Sequence, residues 1–556
     1  MRHLLLLLFL LIGIRASAQF SGKGTGTEKD PYLVSCAEEL FEVRNDLIAY
    51  YKLVSDIDLT TWLNEESPKF GWNPIGSYTK PFKGHFDGNK KSIIGMYINR
   101  DAEDCIGFFG CTLDAEIKDL SFVNPIVKGN KYVSILVGRY CYDIENFTSN
   151  SISNVSVIAG NLYSHDSECG SIVGCIEPND MNIRNFTTYK NFAKSVSVKG
   201  CYSSADIQSD KEAGGICGRV TCGDFYYYTS GESGTGHYYQ LYKVCLMDNS
   251  FDGIINAESC AGILAKTTQL YESYHVREYA VTKYLDPNID IQRNIVTGSL
   301  YGDNLVEGIS TGIAKTKTLK NNFCLAKILS SINGFAYRIS QNGQPDNYAY
   351  NKTIINQGGK EIMVEDDEQN GYSYGSTTLR RKSTYIGADF DFISQWKIIE
   401  GETFPFNINQ SIIPIVTKFE SGSKGIIEGT SVENGKIFVI INQKLYTTNS
   451  IDKSWKLTLG KISEDEVAKI SFKNDIYHPS VITLAVAKVS IINPTVLAGD
   501  SNSDSVVDAA DVVCTTNYIL GKPSSSFNDK NADVNNDGQI LIDDAVGTVN
   551  IIMNEQ

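Results

Sequence analysis

A short phrase recurs through the first four hundred residues and limits the fold more than any other feature. It reads Ile106-Gly107-Phe108-Phe109-Gly110, Ser134-Ile135-Leu136-Val137-Gly138, Gly170-Ser171-Ile172-Val173-Gly174, Gly214-Gly215-Ile216-Cys217-Gly218 and Ala261-Gly262-Ile263-Leu264-Ala265, with a degraded copy at Thr311-Gly312-Ile313-Ala314. The copies start 28 residues apart and spread to about 50, so later copies carry insertions. Alternating β-branched strips accompany them, such as Ile117-Lys118-Asp119-Leu120-Ser121-Phe122-Val123 and Ile152-Ser153-Asn154-Val155-Ser156-Val157. A fixed unit that cannot bury its apolar face alone must stack on its neighbours, which makes a solenoid. The period-two alternation excludes helical solenoids and leaves a parallel β-helix, whose coils stack about 4.8 Å apart. Small residues at the corner phrase let the chain bend while its apolar partners point inward.

Aligning the copies sets Cys105, Val133, Cys169, Ala213 and Cys260 at one position, all small and nearly apolar. A core ladder explains this better than a reactive thiol. The 13 cysteines are compatible with disulfides after export, and their odd number leaves at least one outside any intrachain pair. The phrases resemble those of the GLUG-motif proteins, β-helical repeat proteins common among exported bacterial proteins. Residues 24–33, 51–59 and 82–89 resemble that family's opening, and Trp396 to Phe406 its exit. The resemblance spans 19–412 and implies a fold rather than one activity.

The chain begins Met1-Arg2-His3, continues in a leucine-dominated run from Leu4 to Ile12, and reaches Ala16-Ser17-Ala18. This predicts a signal peptide over 1–18, cleaved after Ala18, and hence a secreted or cell-surface protein. No cysteine stands at the junction, so a lipid anchor there is not expected. No later segment approaches the roughly 18 apolar residues of a membrane span. The net charge is −15 without a basic cluster, which argues against nucleic acid as a partner. His85, His165, His237, His275 and His478 have no metal-ligand spacing, so a zinc centre is not expected.

After residue 412 the corner phrase ends. Residues 413–495 keep short alternating strips, such as Lys436 to Ile441 and Trp455 to Leu459, and read as a small Ig-like β-sandwich acting as a spacer. Residues 496–556 carry two loops 33 residues apart. The first runs from Asp500 to Asp511, with candidate ligands Asp500, Asn502, Asp504, Val506 (through its carbonyl), Asp508 and Asp511. The second runs from Asp533 to Asp544, with Asp533, Asn535, Asp537, Gln539 (through its carbonyl) and Asp544. Oxygen donors at loop positions 1, 3, 5, 7 and 12 converge on one point, and calcium needs six to eight such donors. Val507 and Ile540 at position 8 are expected to pair the loops, and a helix is expected after each. This segment resembles a type I dockerin. The resemblance implies two calcium ions and a cohesin-like partner. Ser505 stands where glycine usually allows the turn, Leu541 replaces a polar ninth residue, and the docking positions 10 and 11 hold Ala509, Ala510, Ile542 and Asp543.

The predicted fold class is therefore mainly β: a parallel β-helix, then a small β-sandwich, then an α-helical paired calcium-loop module. Two functions fit it. One is an exported modular binding or adhesion protein whose β-helix presents a ligand surface to a glycan or surface protein. The other is a polysaccharide lyase or glycoside hydrolase on the β-helix. A hydrolase needs two carboxyl groups across the scissile bond. The pairs Asp56/Asp58 and Asp389/Asp391 suit turn caps better, and no catalytic residue is assigned. Binding has a candidate in the tyrosine-rich insertions: Tyr226, Tyr227, Tyr228, Tyr238, Tyr239 and Tyr242, followed by Tyr271, Tyr274, Tyr279 and Tyr284. These rings either form a sugar- or protein-binding surface or pack across a hairpin.

Overall fold

The computed structural model describes residues 20–143, 150–179, 194–221, 224–230, 235–240, 242–268, 270–276, 279–286, 288–311, 318–353, 355–398, 400–401, 404–408, 415–420, 425–430, 436–441, 444–452, 454–459, 467–473, 487–490, 499–502, 507–522, 524, 527–535 and 539–554. The leader at 1–18 and the end of the degraded sixth phrase lie outside them. The chain forms two compact units, Met1–Ile413 with Ser471–Val486, and Pro414–Ile470 with Ala487–Gln556.

The first unit is a parallel β-helix, as the alternating strips require. One face runs through strands Tyr50–Leu53, His85–Ile94, Glu116–Val123 and Asn150–Ile158 to Tyr372–Tyr374. A second runs from Tyr97–Arg100 through Ile126–Gly129, Asn161–Ser164 and Asp206–Ser209 to Ile355–Gln357. The corner phrases start the third face, whose strands are Phe109–Leu113, Val137–Tyr142, Val173–Pro178, Cys217–Val220 and Leu264–Thr267. Each strand pairs in parallel with its counterpart one coil away, for example Val137 with Val173 and Val173 with Cys217. Inward residues from successive coils, such as Ile117, Ile152 and Val198, fill one continuous core.

The glycines of the phrase serve close approach rather than unusual dihedrals. Gly138, Gly174 and Gly218 stack in register, and none has a positive φ. A Cβ on Gly174 would lie 2.6 Å from the Gly138 carbonyl oxygen, and one on Gly218 would lie 2.5 Å from the Gly174 carbonyl oxygen. The column ends one coil on at Ala265, which stands in register with Gly218 and is buried.

The core ladder holds with one shift of register. Val133, Cys169, Ala213 and Cys260 are direct partners, but the first rung is Ile106, not Cys105. Cys105 adopts a left-handed φ of 61° and adds one residue before the strand. No disulfide joins cysteines among the described residues, and most of these thiols are buried. Burial pushes the Cys324 thiol up to about 11 and Cys201 up to about 12, away from the thiolate that reactivity requires.

One bend between strips uses a left-handed residue in coil after coil: Asp119, Asn154, Gly200, Asp248, Arg293, Asn321 and Asp346. The following residue points into the coil stack. It is Leu120, Val155 and Cys201 in early coils, then asparagine in four consecutive later ones. The Asn249 side-chain N–H donates to Asn294 Oδ1 (3.1 Å), Asn294 to Asn322 (2.9 Å) and Asn322 to Asn347 (3.0 Å). All four are buried, so the ladder satisfies amides that would otherwise be costly to desolvate.

The insertions after two successive corner phrases join. Strand Asp224–Ser230 pairs antiparallel with Thr235–Gln240 on one side and with Tyr279–Asp286 on the other, and Leu270–Val276 completes a four-stranded sheet.

The second unit opens with a three-stranded sheet (Ile415–Glu420, Ile426–Thr430, Ser454–Thr458) and holds the paired strands Lys436–Ile441 and Lys444–Asn449. The pairings are antiparallel, and Trp455 is buried. Helices Ala509–Ile519 and Ile542–Asn554 follow the two acidic loops.

Candidate functional site

The two acidic loops close by the same device. Asp511, at position 12 of the first, accepts the Asn502 N–H on Oδ1 (3.0 Å) and the Asp508 N–H on Oδ2 (2.9 Å). Asp544, at position 12 of the second, accepts the Asn535 N–H on Oδ1 (3.4 Å) and the Leu541 N–H on Oδ2 (2.9 Å). In both loops one carboxylate thus ties position 3 to position 9 and draws the loop into a ring. Asp511 and Asp544 are fully buried and Asp500 is 4% exposed. A bound cation offsets the cost of burying carboxylates, so this donor set suits one. Oxygen-only donors in a flexible ring match calcium rather than a softer metal.

Local sequence sets these positions. Asp508 caps the first helix, accepting the Ala510 N–H at 2.7 Å, and Asp511 completes a capping box with it. That cap occupies one oxygen of a residue expected as a ligand. Asn535 donates from its side chain to Asp543 (3.1 Å), so position 11 of the second loop joins the site. Asp504, Val506 and Asp537 lie outside the described residues. Asp533 and Gln539 are described, in irregular segments at the start and seventh position of their loop. No β-bridge links Val507 to Ile540 among the described residues. Loop one is instead fastened to the short helix Asp529–Ala532. Asn531 donates to the Asp500 carbonyl (2.9 Å), and the Gly499 N–H donates to the Asn531 carbonyl (2.8 Å).

The last helix carries a surface that was not expected from the sequence. Along the last helix Ile542, Val546, Val549 and Met553 are 67, 53, 41 and 65% exposed. Their spacing of four, three and four residues sets them on one face. The spacing itself was the available signal.

The tyrosine insertions give a second candidate. Cα register makes Tyr238, Tyr226, Tyr284 and Tyr271 consecutive partners across the four strands, so both insertions contribute to one row. Tyr227 and Tyr239 belong to the alternate positions, paired with His237 and Phe225, and Tyr228 faces Gly236. Tyr242 does not belong to this sheet. It starts the coil strand Tyr242–Met247 and pairs with Lys194.

The tempting carboxylate pairs are engaged in turns. Asp56 accepts the Ser92 N–H and Asp58 the Thr60 N–H, each at 2.9 Å. Asp391 accepts the N–H groups of Ile393 (2.7 Å) and Ser394 (3.1 Å), and Asp389 has a left-handed φ of 61°. Two further carboxylates are buried, Glu177 on the third face and Glu168 just before the strand Cys169–Gly170 of the second, bridged by Arg219 and paired with Arg139 and Lys131 respectively.

The family described as "Dockerin type I domain" matches residues 498–546, which contain both loops. Two curated relatives match parts of the chain. One, named "Putative Gly-rich membrane protein", from Evansella cellulosilytica, is 44% identical over 101 residues, 18% of this chain and 11% of the relative. The other, Halomucin of Haloquadratum walsbyi, is 26% identical over 156 residues, 27% of this chain and 2% of the relative. The chain thus spans about a tenth or less of the relatives' lengths. A crystal structure described as "a putative immunoglobulin A1 protease from Bacteroides ovatus" is similar to 69% of this chain and 94% of its own, at 17% identity and a TM-score of 0.43. The segment from 498 to 546 is therefore a dockerin type I domain, a class of calcium-binding module.

Proposed function

We propose that this is an exported modular protein that attaches to a cohesin through its calcium-loaded C-terminal domain and presents its β-helix as a binding surface. The observation that carries the reading is the matched pair of buried position-12 aspartates, each closing a loop of calcium-ligand spacing. The domains are read as a leader over 1–18, GLUG-like coils over 19–412, an Ig-like spacer over 413–495 and the dockerin over 496–556. Two calcium ions fit the two loops. No helix among the described residues is long and apolar enough to cross a membrane.

The apolar stripe on the last helix supports docking, because an exposed stripe of this kind is buried when a partner covers it. Ile542→Glu combined with Val549→Glu is expected to abolish capture by a cohesin panel while leaving calcium uptake unchanged. Capture by the doubly substituted protein at the original strength would refute the docking face.

The tyrosine sheet supports a glycan-binding surface. Four strands about 4.8 Å apart make the Tyr238–Tyr226–Tyr284–Tyr271 row about 14 Å long, the length of a short oligosaccharide. Stacked rings contribute on the order of 1 kcal/mol each. Tyr226→Ser with Tyr284→Ser is then expected to weaken oligosaccharide binding at least several-fold on a glycan array. Tyr227→Ser with Tyr239→Ser, on the alternate positions, should leave it nearly unchanged. Equal effects from both pairs would point to a structural role for the rings.

A further inference from the structure

A cavity of about 520 Å³ opens near the start of the first unit, lined by residues that serve neither the calcium loops nor the tyrosine sheet. Helices Ala37–Glu42 and Thr60–Glu66 flank it, and Gly71, bridged to Ile98, closes one side. Its aromatic wall is Phe41 and Trp62, with ring centroids 5.3 Å apart, and both rings pack on the buried Trp72 at 6.2 Å. This cluster already holds one cation. The Arg44 guanidinium lies 3.8 Å from the Phe41 centroid and 5.2 Å from that of Trp72. It donates to the carbonyls of Phe41 (2.7 Å) and Asn73 (3.0 Å), and no carboxylate pairs with it among the described residues. Burial, and after it the charge of Arg100, lowers its pKa to about 10.

The carboxylates are on the cavity side. Glu38, Glu42 and Glu66 all line it, and none forms an ion pair among the described residues. Glu42 accepts a backbone N–H, from Ser21 at 2.7 Å. Glu38 is held below the usual carboxylate range by its own backbone N–H and then by the Cys36 thiol, so it stays charged at neutral pH. Arg100, which also lines the cavity, is neutralised by Glu103 at 2.9 Å. The half-open pocket therefore combines aromatic faces with an excess of negative charge, an environment that favours an organic ammonium.

We propose that this cavity binds a small organic ammonium, which stacks on Trp62 and is neutralised by Glu66 and its neighbours. The ammonium group can belong to an amino sugar or to a lysine-type side chain. The test titrates the full chain in calcium with glucosamine, N-acetylglucosamine and Nα-acetyl-lysinamide, using calorimetry. At least one ammonium probe should bind saturably, and N-acetylglucosamine, which has the ring without the charge, should bind at least several-fold more weakly. Whichever ammonium probe binds more tightly identifies the source. Trp62→Ala should abolish the heat signal. Glu66→Gln, at an exposed position that leaves the fold intact, should weaken binding several-fold, as should raised salt. Equal binding of glucosamine and N-acetylglucosamine, or no saturable binding by either ammonium probe, would overturn the assignment.

Discussion

Gly174→Ala is expected to leave the β-helix largely unfolded or insoluble at physiological temperature, although it adds a single methyl group. The new Cβ would lie 2.6 Å from the Gly138 carbonyl oxygen, 2.7 Å from the Tyr132 carbonyl carbon and 2.9 Å from the Val133 nitrogen. All three are backbone atoms of the preceding coil, so no side chain can rotate aside. Overpacking a core costs about 1–3 kcal/mol where side chains can yield, and this position should reach or exceed the upper end. Spreading the two coils would also strain the parallel pairing of Val137 with Val173. The control is Ala265→Gly, one coil beyond the end of the column, which should cost far less. Thermal unfolding of the two variants beside the parent checks the expectation. A Gly174→Ala protein with an unchanged midpoint would show that the coils are not packed this closely.

Asp511→Ala and Asp544→Ala are each expected to remove one calcium ion and to unfold the loop concerned. Replacing Asp544 deprives the N–H groups of Val534 (2.9 Å), Asn535 (3.4 Å) and Leu541 (2.9 Å) of their acceptor. Hydrogen bonds to a charged group contribute about 1.5–3 kcal/mol each, so the loop cannot keep its ring without the metal or the carboxylate. Because ligand geometry and helix cap share the same aspartate in loop one, Asp511→Ala should also fray the Ala509–Ile519 helix. Calorimetric calcium titration should report one ion in each single variant and two in the parent, with a matching fall in far-ultraviolet helicity. Two ions retained by either variant would remove position 12 from the ligand set.

The β-helix was legible because its repeat combines a chemical need with a fixed period. Apolar dyads such as Ile135-Leu136 fill the core, and the adjoining glycines must pass close to the previous coil. The rung occupied by Ile106 was misassigned to Cys105 because a single left-handed residue shifts the register without altering the surrounding phrase. The asparagine ladder was not legible. Asn249, Asn294, Asn322 and Asn347 each follow a polar turn residue, and in one dimension they read as ordinary turn asparagines. Only the stacking of coils shows that their amides bond to one another. The tyrosine insertions were visible as segments, but their union into one sheet depends on pairing between strands separated by more than forty residues, such as Tyr226 with Tyr284. The dockerin segment was legible from the spacing of its two acidic loops, and the family match covers both of them. The stripe from Ile542 to Met553 was passed over because four apolar residues on a short helix read equally well as core.

In the proposed function calcium turns the C-terminal domain into a connector, and binding of the full chain to immobilised cohesins, with calcium and then with excess chelator, tests this most directly. Saturable binding to at least one cohesin in calcium, complete release on chelation and recovery when calcium is restored are expected. Binding that persists unchanged in chelator would contradict it.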